Sequence, residues 1–296
     1  MSAVDFGNWM ASVQAQTEAA LDSFLPPATQ VPVKLHEAMR YTTLGGGKRV
    51  RPLLAFAAAE LFGAEADAVA RAACAVEMIH AYSLVHDDMP CMDDDALRRG
   101  KPTVHVAYDE ATALLVGDAL QAQAFEVLAG SSVAPARLVH MLRLLAQAAG
   151  TAGMCGGQAI DLDSVGFKLS LEQLERMHQL KTGAMLRVSV LLGALAGRDL
   201  APQEQDALAA YARAIGLAFQ VVDDVLDATQ DSATLGKTAG KDAAANKPTY
   251  VSILGLEPSK ALAQQLRQQA HEALAPFGEQ ALRLRELADL IVQRKA

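Results

Sequence analysis

A largely apolar run, Cys74 to Val85, leads straight into HDDMPCMDDDALRRGK at residues 86–101. Five aspartates fall there within nine residues, and three basic residues follow almost at once. Carboxylates at the end of a buried apolar helix need a cation, since the helix dipole already disfavours negative charge at a C-terminus. Pro90 interrupts any ideal helical wheel across this cluster. A second cluster, DDVLD at 223–227, closes another apolar stretch, IGLAFQVVDDVLDA. On a helix Asp223 and Asp227 stand at i and i+4, and Asp224 and Asp227 at i and i+3. All three therefore have places on one face, with Gln220 three residues before Asp223. Like charges at that spacing repel unless something neutralises them. A lone acidic run is more often a solvated loop. Two such runs, each ending an apolar helix, reverse that balance and point to Mg²⁺, which favours carboxylates shared with water and phosphate oxygens. The alternating ligands, central Gly and final Glu of a calcium-binding EF-hand loop are missing.

The rest of the chain predicts helices. Alanine and leucine dominate, and only 5% of the residues are aromatic. Helical periodicity covers 6–25, 52–62, 67–85, 110–128, 135–150, 171–195, 202–229, 259–275 and 279–293. No segment reads as a convincing strand. Some helical stretches, such as VSVLLGALAG at 188–197, are apolar nearly all round and belong inside a large assembly of helices. The expected architecture is an all-α bundle around a central cavity, built as one domain over residues 1–296, because no long polar linker divides it. The net charge of −8 and the absence of a Lys/Arg-rich run set nucleic acid aside. Three scattered cysteines form no metal pattern and suit a reducing, cytoplasmic setting. The N-terminus lacks the pattern of a signal peptide. No uncharged apolar stretch of roughly 18 residues is present, so no membrane span is expected.

Basic residues accompany the acids. GGGKRVRP at 45–52 sets Lys48, Arg49 and Arg51 beside three glycines. Arg98 and Arg99 follow the first acidic cluster, and Lys237 and Lys247 follow the second. Glycine-rich backbone with cations can hold phosphate, although this is not a Walker A loop and a helix start with a basic first turn is an equal reading. Lys181 and Thr182 sit in a helical stretch where an inward lysine needs a partner. Metals bridging phosphate oxygens, with Arg and Lys holding the rest, would suit a diphosphate. The apolar helices suggest a hydrocarbon tail.

These motifs, together with HAYSLVHDDMPCMDDDALRRGKPTVH, GDAL at 117–120, GMCGGQAIDLD at 153–163, KTGAM at 181–185, FQVVDDVLD at 219–227 and LGKTAGKD at 235–242, closely resemble the short-chain trans-prenyltransferases of the isoprenoid diphosphate synthase family. The likeness is strongest to the bacterial farnesyl diphosphate synthases, and its motifs span residues 45 to about 250, most of the chain. The resemblance implies more than one Mg²⁺ per site, held by Asp87, Asp88 and Asp93 and by Asp223, with Asp224 and Asp227 in support or bound through water. It implies that Arg98, Lys181, Lys237 and Lys247 hold the allylic diphosphate. Lys48, Arg51, His80 and Arg99 would hold isopentenyl diphosphate. Thr182 and Gln220 would stand beside the forming carbocation. A homodimer is implied as well.

Tyr82 and Ser83 lie five and four residues before Asp87, about one turn away, in the direction a growing tail would take. A tyrosine ring there would cap the tail, and the resemblance associates it with a C15 product; ordinary core packing is the alternative for Tyr82. Three other readings remain in view. A geranylgeranyl diphosphate synthase needs a deeper pocket. A class I terpene cyclase normally builds its second motif on Asn, Ser and Glu. A non-catalytic prenyltransferase subunit usually loses an aspartate motif.

Overall fold

The computed structural model describes residues 3–229 and 248–294. Helix accounts for 78% of the structure, which makes the fold all-α. The chain divides into two compact units. The first comprises residues 1–142 and 192–199, and the second residues 143–191 and 200–296. Each draws on two segments, so no single cut in the chain separates them.

In the first unit, α1 (Ala3–Phe24), α2 (Val33–Thr43), α3 (Val50–Phe62) and α4 (Ala66–Asp87) precede a short hairpin. A single turn, α5 (Val104–Ala107), and α6 (Glu110–Ala129) follow. The helix α7 (Pro135–Ala149) runs on into the second unit. Helix α4 is the core element. Residues 72–79 are buried on every side, and the small side chains of Ala72, Ala73 and Ala75 let neighbouring helices approach closely. Met78 and Ile79 are fully buried, each contributing on the order of 1.5–3 kcal/mol. Two strands of two residues, β1 (Leu97–Arg98) and β2 (Lys101–Pro102), were not expected from the sequence. They pair because Arg99 (φ 53°) and Gly100 (φ 76°) both take the left-handed conformation that the tightest hairpin turns require.

The second unit contains α8 (Met154–Asp163), α9 (Leu171–His178), most of α10 (Ala184–Gly197) and the long α11 (Pro202–Thr229). After the residues not described come α12 (Tyr250–Leu254), α13 (Leu256–Ala273), a 3₁₀ segment at Ala275–Ala281 and α14 (Leu282–Gln293). Its core gathers round α11. The fully buried Tyr211 hydroxyl donates to the Leu284 carbonyl at 2.6 Å, which fixes α14. The one helix expected over 171–195 is broken by a π-helical turn at Gln179–Gly183. Such turns are rare and concentrate at functional sites.

Two stretches, Ala66–Asp87 and Leu171–Gly197, are long and apolar enough to cross a membrane by length and composition. Both carry charged side chains, and both are mostly buried inside the protein, as core helices are.

The second unit also buries a histidine. His178 stacks on Tyr250 with ring centres 5.6 Å apart, and neither ring nitrogen has a hydrogen-bond partner. Burial pushes its pKa down to about 4. The folded state therefore binds fewer protons than the unfolded chain, whose histidine titrates near the usual 6.5. Stability is retained above pH 6.5 and falls as pH drops from there towards 4, by on the order of 3 kcal/mol. His178→Phe keeps the stacking and has no proton to gain. Urea melts at a series of pH values are expected to show this slope in the parent protein and a flatter one in the variant.

Candidate active site

The glycine-rich loop and the hairpin build a charged cavity in the first unit. Gly45, Gly46 and Gly47 have φ of 90°, 98° and 128°, conformations that side chains rarely adopt. The loop leads into Arg49, itself left-handed at φ 50° and buried. The Arg49 guanidinium donates to Glu77 Oε1, Glu18 Oε2 and the Thr43 carbonyl, each at 2.7 Å. Burial works against its charge, yet Glu77 and Glu18 beside it hold its pKa above the ordinary arginine value. Glu18 also receives the Gly45 N–H at 2.5 Å, so one ion-pair network pins both ends of the loop.

The cavity, of about 90 Å³, is lined by Gly46, His80, Asp88, Arg98, Arg99 and Lys101 among others. Arg99 donates to the Gly46 carbonyl at 2.8 Å. Burial holds the His80 pKa well below its usual value, and Arg51, Arg99, Arg98 and Arg49 push it further down. The imidazole is therefore neutral near pH 7 within a field of arginines, a cluster that favours an anion. Lys48 is exposed, and its carbonyl accepts a hydrogen bond from Gln14. Arg51 has a buried Nε without a partner, and burial lowers its pKa.

The first acidic cluster closes on itself. The loop after α4 turns back so that the Asp93 N–H meets the Asp87 carbonyl at 2.8 Å and the Asp95 N–H meets the Asp88 carbonyl at 3.1 Å. The buried Asp88 carboxylate is gripped by Arg98 through three contacts of 2.5–2.9 Å. Burial raises its pKa, and Arg98 opposes the rise. Tyr82 is 6% exposed, with its ring edge-on to His86, and the neighbouring Ser83 hydroxyl donates to the His80 carbonyl.

In the second unit the π-helical turn carries Lys181 and Thr182. A side chain at Gly157 of α8 would run into the Lys181 backbone, so only glycine lets α8 come this close. The Lys181 ammonium donates to Asp161 Oδ2 at 2.5 Å, and the Thr182 hydroxyl donates to Gln220 Oε1 at 2.7 Å. The three aspartates of α11 are held differently. Buried Asp224 accepts the Tyr250 N–H at 2.7 Å, while Asp223 accepts from Arg294 at 2.6 Å. Asp227 is half-buried. Lys237 and Lys247 lie outside the described residues.

Among the described residues, no three carboxylate, imidazole or thiol side chains converge tightly enough to hold a metal ion in this state. The donors are nevertheless hard oxygens, and each cluster already has a cation on one carboxylate, Arg98 on Asp88 and Arg294 on Asp223. That chemistry fits Mg²⁺.

Residues 32–281 match the polyprenyl synthetase family. This chain belongs to it. It is 46% identical over 297 residues to a farnesyl diphosphate synthase of Escherichia coli, covering 98% of this chain and 99% of that one. It is 48% identical over 302 residues to the large subunit of a heterodimeric geranylgeranyl pyrophosphate synthase of Arabidopsis thaliana, covering 99% and 81%. Among solved structures, an FPP/GFPP synthase from Zymomonas mobilis is similar with a TM-score of 0.88 at 44% identity, covering 98% of this chain and all of that one. The protein is thus a short-chain prenyl diphosphate synthase.

Sequence reasoning missed three partners in this polyprenyl synthetase. Glu77 looks like any helical residue until α3 and α4 pack. Asp161 stands in the GMCGGQAIDLD motif, but only the π-helical turn brings Lys181 to it. Arg294 is remote in sequence from the cluster it touches. Removing one partner of a buried ion pair strands the other charge, at a cost of about 3–5 kcal/mol. Glu77→Leu is expected to lose stability on that scale in urea melts. Glu77→Leu with Arg49→Met should recover much of it.

Proposed function

We propose that this prenyltransferase is a farnesyl diphosphate synthase, condensing isopentenyl diphosphate with dimethylallyl and then geranyl diphosphate. The observation that carries the reading is the cavity beside the glycine loop, lined by His80, Arg98, Arg99 and Lys101, a cluster whose charge suits a diphosphate. Lys48, Arg51, His80 and Arg99 hold isopentenyl diphosphate. Arg98, Lys181, Lys237 and Lys247 hold the allylic diphosphate, and Asp161 orients the Lys181 ammonium. Asp87, Asp88, Asp93 and Asp223 hold Mg²⁺, with Asp224 and Asp227 in support. The bound ions supply the charge that makes diphosphate a leaving group.

Breaking the allylic C1–O bond leaves a cation at C1. The oxygens of Thr182 and Gln220, fixed by their mutual hydrogen bond, direct their dipoles at it. The double bond of isopentenyl diphosphate attacks C1, and the departed diphosphate takes the proton that is lost. Apolar side chains exclude water, which would otherwise capture the cation. Residues 1–296 act as one catalytic domain, working in the cytoplasm as a homodimer. Leu114 and Leu115 of α6 and Val139 of α7 are exposed and offer apolar surface for such an assembly.

The relatives bear both farnesyl and geranylgeranyl names, so a C20 product is the second reading. Tyr82 favours C15, because its bulky ring is held in the core one turn before the aspartates. Purified protein incubated with Mg²⁺, isopentenyl diphosphate and dimethylallyl diphosphate is expected to yield mainly farnesyl diphosphate by chromatography. EDTA or Asp87→Ala should abolish the product, and failure of all condensation would overturn the assignment. Tyr82→Ala is expected to lengthen the products towards C20; an unchanged profile would leave Tyr82 with core packing alone.

A further inference from the structure

Helix α14 ends at Gln293, and the next residue, Arg294, turns back onto α11 with extended backbone. Its Nη2 donates to the Phe219 carbonyl at 2.7 Å and to Asp223 Oδ1 at 2.6 Å. Its guanidinium carbon lies 3.8 Å from the centre of the Phe219 ring. The Arg294 side chain is only 10% exposed, against 37% for Asp223, and its Nε is buried without a hydrogen-bond partner. Burial pushes its pKa down, and Asp223 opposes that shift. An apolar side chain could finish the helix without burying a charge or orphaning an N–H. What only a cation provides here is positive charge at a carboxylate that has Asp224 and Asp227 within one helical turn.

We propose that Arg294 is a positioning residue for the second aspartate cluster: its guanidinium is a built-in counter-cation for Asp223, and a divalent ion binds through Asp223 by exchanging with it. This rests on the metal-dependent reading above and adds the group that holds the carboxylate before metal arrives. The cluster is thereby stable without metal, and the energy of the ion pair is subtracted from metal affinity. The Phe219 ring and carbonyl make a second resting place, so the guanidinium remains close after exchange.

The test is Mn²⁺ binding without substrate, followed by electron paramagnetic resonance on the full-length protein. Arg294→Gln is expected to bind Mn²⁺ about three- to tenfold more tightly, as loss of a partly buried ion pair would allow. Its metal-free melting temperature should fall, and its gain on adding Mg²⁺ should exceed that of the parent protein. Arg294→Lys, which keeps the charge, should restore most of the parent affinity. The gain should vanish when Asp223→Asn is added, since the two side chains act as a pair. A merely structural arginine would lower the melting temperature without tightening Mn²⁺. Unchanged or weaker binding in Arg294→Gln, or an equal gain in the Asp223→Asn background, overturns the inference while the parent protein still binds metal. A parent protein that binds no Mn²⁺ even when inorganic diphosphate is added overturns the metal-dependent reading itself, and one that binds Mn²⁺ only with diphosphate overturns this inference alone.

Discussion

Carboxylates that close apolar helices must be neutralised, and much of this protein is arranged around that requirement. Asp88 is buried where the α4 dipole is least favourable to it. Arg98 compensates with a forked grip that matches the carboxylate plane. The grip depends on the hairpin, and the hairpin depends on the left-handed pair Arg99 and Gly100. Asp224 is held in another manner, accepting a backbone N–H from the start of α12. Asp223 takes the guanidinium of Arg294. Each acid therefore ties its helix end to a different element. Cluster and fold are stabilised together, which is why neither cluster behaves as a solvated loop.

The all-α class and the longest helices were legible in the sequence because they rest on periodicity. The expected 67–85 and 202–229 agree closely with Ala66–Asp87 and Pro202–Thr229. The short helices Val33–Thr43 and Met154–Asp163 were not assigned. The first lacks a side-chain cap, and the second contains two glycines, so local signals are weak in both. The break at Gln179–Gly183 was hidden for a different reason. A π-helical turn keeps helical composition and adds a residue to one turn, so periodicity does not reveal it, and its close packing against Gly157 appears only in the folded chain.

Site residues were legible in proportion to their charge. The aspartates, arginines and Lys181 stood out as clusters. Which acid does what did not, because equal spacing on a helical wheel says nothing about what packs opposite. The wheel gives Asp223, Asp224 and Asp227 places on one face. In the folded chain Asp224 is spent on the Tyr250 backbone, while Asp223 meets a side chain more than seventy positions away. The same limit hid Glu77, whose own burial and whose pairing with the buried Arg49 appear only once the helices pack.

Arginines of the first unit divide the work in a way that bears on how such a site stays ready for an anion. Arg49 is committed elsewhere: its two terminal nitrogens meet two carboxylates and a carbonyl, so it serves the loop rather than a ligand. Arg51 and Arg99 are instead held where burial and neighbouring positive charge push their pKa values down. Such groups are strained by mutual repulsion, and an anion placed among them gains from every one. His80 extends this logic. As a neutral imidazole it adds no further repulsion to the cluster of arginines. The glycine loop is the remaining condition, since backbone without side chains allows an anion to approach the cations closely, and the Arg49 network with Glu77 and Glu18 holds that loop in place.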